Sequence, residues 1–299
     1  GLTCAGLPQQ FTIQVNPTAI VLDPVDQVYC NGSTAGGVNF SGTATNYSWT
    51  NDNTNIGLAS NGVGNIPTFT VSNNSSLAIT ANLVVTPLYT IGSLVCPGPV
   101  QNFVFTVNPT PAVNAPLDQV VCNGLPTAIV SFVGTGTSYN WTNSQTSIGL
   151  NATGTGNILP FNAMNASSSA VISNIVVTPQ FTGSGVTCSG NPQNFNITVN
   201  PSPNLLPINP ISICNNTALN VNLASDLTSS FVWQALATSN VNGEDSLAQT
   251  SSVINNTLTN ITTIPQNVQY TVTPTSIPQG CVGTSLNFTV TVIPDVILT

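Results

Sequence analysis

The chain contains no lysine, arginine or histidine, and only eight acidic residues in 299 positions. With a formal charge of −8 and no cation, it has nothing to neutralise a phosphate backbone or an anionic lipid surface, which excludes nucleic acid and electrostatic membrane docking. A Ser-His-Asp or Cys-His arrangement lacks its base, and phosphoryl transfer lacks its Lys or Arg. Glycosidase chemistry needs two carboxyl groups facing one cleft, whereas the adjacent pair Glu244 and Asp245 diverges on a strand. The chain therefore reads as non-enzymatic, with no cofactor. No run of about 18 apolar residues and no basic leader is present, so a signal peptide and a membrane anchor are read as absent or removed before residue 1, and no direct membrane insertion is expected. Without lysine there are also no Lys–Asn isopeptide cross-links.

What is present is a folding composition: 41% hydrophobic residues, with solubility carried by Asn, Ser and Thr, a surface that depends little on ionic strength. The seven cysteines show a repeat. Cys4, Cys96 and Cys188 are 92 residues apart, Cys281 follows at a step of 93, and Cys30, Cys122 and Cys214 keep the 92-residue step in a second register. A period near 92 is the size of an immunoglobulin-like sandwich. Asn-Pro pairs bound the units: residues 1–17 as the closing strand of a truncated upstream repeat, then repeats over 18–109, 110–201 and a divergent 202–299. The joints are Pro-rich and should be short and stiff.

Within a unit the apolar period is two. Residues 103–107 (FVFTV) and 195–199 (FNITV) alternate strand formers with polar positions, and Gly-rich stretches punctuate them. In the second unit strands are expected at 119–121, 128–133, 138–142, a weak meander over 148–158, then 170–172, 175–178 and 195–199. About seven strands with frequent turns is the pattern of a β-sandwich, so the fold class is all-β: tandem immunoglobulin-like, PKD-like domains in a linear array. Trp49, Trp141 and Trp233 recur every 92 residues, each two positions after an aromatic (Tyr47, Tyr139, Phe231), which puts both rings on one face. They are read as core aromatics, with an exposed carbohydrate-stacking role as the competitor.

The cysteines are read as structural disulfides of an oxidising, extracellular compartment, because they lack CxxC spacing, clustered metal partners and cationic activators. Two pairing schemes stay open. One closes each unit on itself, Cys30–Cys96, Cys122–Cys188 and Cys214–Cys281, leaving Cys4 open-ended. The other joins neighbours across the joints, Cys4–Cys30, Cys96–Cys122 and Cys188–Cys214. A first strand that runs the full length of its unit favours the first scheme, provided the closing hairpin folds back. Calcium is a lesser reading, on residues 51–55 (NDNTN) and on Asp23, Asp26 and Asp118 near the joints; the second copy of the loop, residues 143–147, has lost its acid. Sequons at Asn31, Asn39, Asn46, Asn140, Asn165, Asn196 and Asn287 are expected by chance in so Asn-rich a chain.

The combination of Cys30, Asn31 and Gly32, then residues 47–51 (YSWTN), 85–87 (VTP), 96–98 (CPG) and 103–109 (FVFTVNP), resembles the PKD-like, immunoglobulin-type repeats of very large Bacteroidetes cell-surface adhesins. The second unit repeats it at 122–124, 139–143, 177–179, 188–190 and 195–201, and the third departs from it with Asn216 for glycine and Phe231 for tyrosine. The resemblance implies type IX secretion, display on the outer membrane, and a role in adhesion or gliding motility. On this reading the chain is a stalk or adhesin segment whose partners are further copies of the repeat in the same polypeptide, with surface glycans or other cell-surface proteins beyond them. The alternatives are a glycan-binding module using exposed aromatics and a subunit of an extracellular filament.

Overall fold

A computed structural model describes residues 1–295; the last residues of the 202–299 segment lie outside the described ones. The chain divides into two compact units, residues 1–114 with 133–140 and 178–192, and residues 115–132 with 141–177 and 193–299. The fold is all-β, as the two-residue periodicity requires, and its helical content is confined to the 3-10 turns Thr54–Ile56 and Thr146–Ile148 among the described residues.

In the first unit a sheet runs in the order Gln27–Cys30, Gln101–Asn108, Ile79–Ile91, Asn46–Asn51 and Asn61–Val63, with Leu94–Pro97 added to Ile79–Ile91. We call these in turn the first, closing, long and tryptophan strands, a short edge strand, and the hairpin strand. The first strand pairs parallel with the closing strand, Gln27 opposite Phe105 and Cys30 opposite Asn108. A thinner layer of Thr34–Ala35 with Phe69–Thr70 and the bridges Val21–Gly42 and Val38–Ile66 faces it. Between the layers lie Val21, Val38, Ile66 and Val71 from one side and Trp49, Leu83, Val85, Phe103 and Phe105 from the other. This is the face-to-face packing of a β-sandwich, with alternate side chains of each strand turned inward.

In the second unit, Gln119–Cys122 pairs parallel with Gln193–Asn200, which pairs antiparallel with Val171–Gly183. Residues 211–293 form another sandwich, with the four-stranded sheet Ile211–Cys214, Leu286–Ile293, Gln266–Ser276, Ser229–Ala235 on one side. Val221, Ile254 and Leu258 from the short strands opposite, with Leu219 from the connection between two of them, close its core over Trp233, Tyr270 and Val290.

Three strand expectations are corrected. Residues 170–172 and 175–178 belong to one continuous strand, Val171–Gly183. Ser173, which looks like a turn former, is fully buried and donates its hydroxyl to Asn143 Oδ1, so its polarity is satisfied without breaking the strand. Residues 128–133 form no strand beyond a bridge between Val130 and Ile158, because the Asn157 side chain accepts the Phe132 N–H (2.9 Å) where a ladder carbonyl would stand. Residues 1–17 carry no strand, and Phe11, Ile13 and Val15 are exposed; a closing strand needs a first and a long strand beside it, and none pairs with this segment among the described residues.

Candidate functional site: cysteine bridges between successive repeats

The first strand ends on Cys30 at the edge where the closing strand ends on Asn108. The hairpin strand carries Cys96 opposite Tyr89 of the long strand, whose Ile79 stands opposite Val107. Ten residues of extended strand therefore separate the two cysteine positions, about 33 Å at the rise of a β-strand. A disulfide needs Cα atoms within about 7 Å, so Cys30 and Cys96 of one repeat cannot meet.

Cys30 bonds instead to Cys188, on the hairpin strand Val186–Ser189 of the following repeat, with Cα atoms 5.5 Å apart. Cys122 bonds in the same way to Cys281, again at 5.5 Å. Both expected schemes are thus corrected: a repeat is closed neither on itself nor across the nearest cysteines, and Cys4, Cys96 and Cys214 are free. The physical cause is strand direction. The parallel first strand delivers its cysteine to the end where the chain departs, and the next repeat's hairpin is the element that returns to that end.

A polar clamp accompanies the first bridge. Asn108 is fully buried, and its Nδ2 donates to the carbonyls of Gly183 (2.9 Å) and Val186 (3.0 Å), the pair that closes the hairpin. The turn between them, Ser184 and Gly185, has φ of 48° and 79°, the left-handed pair that tight hairpins use. A Cβ on Gly183 would lie 2.5 Å from Asn108 Oδ1, so glycine is needed for the approach. Cys281 is set by another device: its N–H is accepted by Ser276 Oγ (3.0 Å), and its carbonyl accepts the Ser276 N–H (2.9 Å).

The tryptophans lie inside the sandwiches, at 5%, 7% and 2% exposure for Trp49, Trp141 and Trp233, which leaves no ring surface for a sugar to stack on. The Trp49 and Trp141 indoles cover Gly62 and Gly154, where a Cβ would fall 2.1 Å from ring carbon Cζ2. Trp233 donates its Nε1–H to Ser251 Oγ (3.1 Å).

The acids serve as hydrogen-bond acceptors. Asp26 Oδ1 accepts from Val104 N (2.7 Å) and Asp118 Oδ1 from Asn196 N (2.6 Å), pinning the start of each parallel pair. Asp52 accepts from Asn82 N (2.8 Å) and Nδ2 (2.7 Å), bonds that hold its carboxyl below the usual carboxylate range. In the next repeat Ser144 Oγ takes the same N–H, from Asn174 (2.8 Å), so a neutral hydroxyl does the work of the acid. Asp226 accepts from Asn204 N (2.7 Å), as Thr43 does from Ile20 and Thr135 from Ala112. Glu244 accepts from Thr238 N (3.0 Å) and Asp245 from Asn256 Nδ2 (2.7 Å), so the pair diverges. Burial, and then the charges of Glu244 and Asp245, push the Tyr270 phenol far up; its hydroxyl donates to Asn256 Oδ1 (2.8 Å). No group of three or more potential metal ligands occurs among the described residues.

Sequence reasoning missed the buried asparagines. Asn73 Nδ2 donates to Leu77 O (2.8 Å) and Val107 O (2.7 Å), and its N–H is accepted by Asn31 Oδ1 (2.8 Å). Asn165 with Asn123 and Asn260 with Asn215 repeat this arrangement. The signal was in the sequence as a third register, Asn-x-Ser at 73 and 165 and Asn-x-Thr at 260. At all three positions that register is itself a sequon, but the side-chain amide of each asparagine already donates twice inside the fold.

A first strand ending in cysteine, parallel to a closing strand, recurs in Ile211–Cys214 and Leu286–Ile293. Residues 211–296 match the family model of the PKD-like domain. This PKD-like segment is the part of the chain that the family model covers. No curated protein matches the chain. Among solved structures, an I-band fragment of titin aligns over 94% of this chain and 100% of its own at 10% identity, with a TM-score of 0.47. A fragment of mouse cadherin-23 aligns over 91% of this chain and 96% of its own at 10% identity, with a TM-score of 0.34.

Proposed function

We propose that the chain is a non-enzymatic structural segment, a stalk or adhesin portion of a secreted cell-surface protein, built from PKD-like repeats over 18–109, 110–201 and 202–299. The observation that carries this reading is the twice-repeated bridge from the first strand of one repeat to the hairpin of the next, Cys30–Cys188 and Cys122–Cys281. A bridge so placed strengthens the connection between repeats and leaves each sandwich core to hold itself. The two buried cysteines, Cys188 and Cys281, and an exterior of neutral polar side chains support an oxidising, extracellular setting. The buried tryptophans do not support a glycan-binding module based on stacking. The resemblance to Bacteroidetes adhesins, the gliding adhesin SprB among them, extends the proposal to type IX export, outer-membrane display and a role in adhesion or gliding, with other cell-surface molecules as partners.

Peptide mapping tests the core of this reading. Non-reducing digestion with pepsin, which needs no basic residue and works at a pH that suppresses disulfide exchange, is expected to release peptides linking Cys30 to Cys188 and Cys122 to Cys281. Cysteines recovered fully reduced from protein secreted into an oxidising compartment would remove the structural argument. Surface labelling of intact producing cells, with and without the type IX route, tests the location.

A further inference from the structure

Asparagine followed by glycine is open to self-modification, because a residue without Cβ leaves its backbone nitrogen unshielded beside the side-chain amide. The chain has four such pairs, beginning at Asn31, Asn61, Asn123 and Asn242. Three of them are pinned by the fold. Asn31 Oδ1 accepts from Asn73 N (2.8 Å), its Nδ2 donates to Thr110 Oγ1 (3.0 Å), and the Gly32 N–H goes to Val71 O (2.9 Å). Asn123 Oδ1 accepts from Asn165 N (2.8 Å), and the Gly124 N–H goes to Ala163 O (2.7 Å). Asn61 Nδ2 donates to Ser60 Oγ (3.2 Å), and Gly62 stands opposite Trp49 inside the ladder, under the indole. Bonds from Asn51 N to Ser60 O and from Gly64 N to Tyr47 O flank it, so Gly62 lies in the hydrogen-bonded register.

The fourth pair has no such restraint. Asn242 is exposed at the end of the two-residue strand Val241–Asn242. Among the described residues its side chain makes no hydrogen bond, and the Gly243 N–H has no backbone acceptor. Yet the fold requires glycine here: Gly243 has φ of 94°, and a Cβ on it would lie 2.1 Å from Thr257 O. The turn thus demands the residue that leaves Asn242 vulnerable.

We propose that Asn242 is a self-modification site, converted through a succinimide to aspartate and isoaspartate. The Gly243 nitrogen attacks Asn242 Cγ; a C–N bond forms, the Cγ–Nδ2 bond breaks, and ammonia leaves with the proton from Gly243. Water then opens the ring, at Cγ to give aspartate or at the backbone carbonyl to give isoaspartate, so the balance is asparagine plus water to acid plus ammonia. The isoaspartyl product lengthens the main chain by one carbon next to Val241, which is buried and stands opposite Asn260. Conversion therefore adds a carboxylate two residues before Glu244 and disturbs the strand beside the Asn260 corner. This inference does not depend on the stalk reading.

The test incubates the full oxidised chain in buffer made with oxygen-18 water at mildly alkaline pH, followed by peptic mapping with isoaspartate-specific fragmentation. Both products should accumulate at 242, each carrying one heavy oxygen, at least about tenfold faster than at 31, 61 or 123, a ratio equal to about 1.4 kcal/mol of local opening at the pinned pairs. The rate should rise with pH, because the attacking nitrogen must lose its proton. In denaturant the four rates should converge, and Asn242→Gln should abolish the signal at 242 in a chain that still unfolds cooperatively. Equal rates at 242 and the pinned pairs in the folded chain overturn the proposal. So does aspartate at 242 without isoaspartate, or a preference for 242 that persists in denaturant. The same digest reads the Cys30–Cys188 and Cys122–Cys281 bridges, so failure of this proposal and failure of the proposed function are seen separately.

Discussion

At the scale of single residues, the molecule relies on close steric fits and on neutral hydrogen-bond donors. Gly62 and Gly154 lie against Trp49 and Trp141 and have ordinary backbone angles, so Gly62→Ala tests packing alone. It should destabilise by about 1 to 3 kcal/mol, the usual cost of overpacking, measured by denaturant unfolding. Asn165→Ala removes two buried donors and strands the carbonyls of Ser169 and Val199, with an expected loss of about 2 to 4 kcal/mol. The pH response follows from what titrates. Hydrogen bonds lower the carboxyls of Asp52 and Asp226 in the folded state, so their contribution is present above the unfolded carboxylate pKa and is lost as pH falls through the lower folded one. Both groups are exposed, so the loss should be small. With no histidine, the thermal midpoint should stay flat between about pH 5 and about pH 8, decline only at more acid pH, and barely respond to added salt.

At the scale of elements, the parallel first and closing strands and the antiparallel hairpin together decide where the cysteines go. The Asn108 clamp holds the hairpin turn beside Cys30 through two donated bonds. Asn108→Ala leaves the Gly183 and Val186 carbonyls without that donor, and we expect the Cys30–Cys188 bridge to become about tenfold easier to reduce, following about 1.4 kcal/mol of lost support. Quantitative thiol trapping across a glutathione series, with Cys122–Cys281 as the internal reference, reads this. At the second bridge Asn200 stands opposite Cys122 as Asn108 does opposite Cys30, and the turn before Cys281 is held by Ser276.

For the whole molecule, the bridges interlace, since one closes residues 30–188 and the other 122–281. By the chain-entropy argument, loops of 158 and 159 residues are worth about 5 kcal/mol for the first bridge closed and less for the second, because the loops overlap. The mechanical consequence is larger. Pulled from both ends, the reduced chain can extend between Cys30 and Cys281 to about 850 Å. In the oxidised chain the shortest covalent path between those points runs through the segment from Cys122 to Cys188, which limits the extension to about 230 Å. Single-molecule stretching with and without reductant should show this difference in contour length. Equal contour lengths would mean the bridges are absent or differently connected.

The amino-acid order by itself determined the fold class, the shared face of each tryptophan and the aromatic two residues before it, and the near-92-residue repeat, because two-residue periodicity and recurring registers are local signals that survive without knowing what packs on what; that this face is the inward one came from the structure. It also shows that chemistry depending on a lysine, arginine or histidine side chain has no residue to carry it. It could not decide the cysteine partners, since every scheme satisfies the same registers and the bridged pairs lie 158 and 159 residues apart, beyond the nearest candidates on either side. Only the tertiary structure decided that: a parallel first strand and an antiparallel hairpin place the two cysteines of one repeat at opposite ends of its sheet, leaving the next repeat's hairpin as the partner within reach.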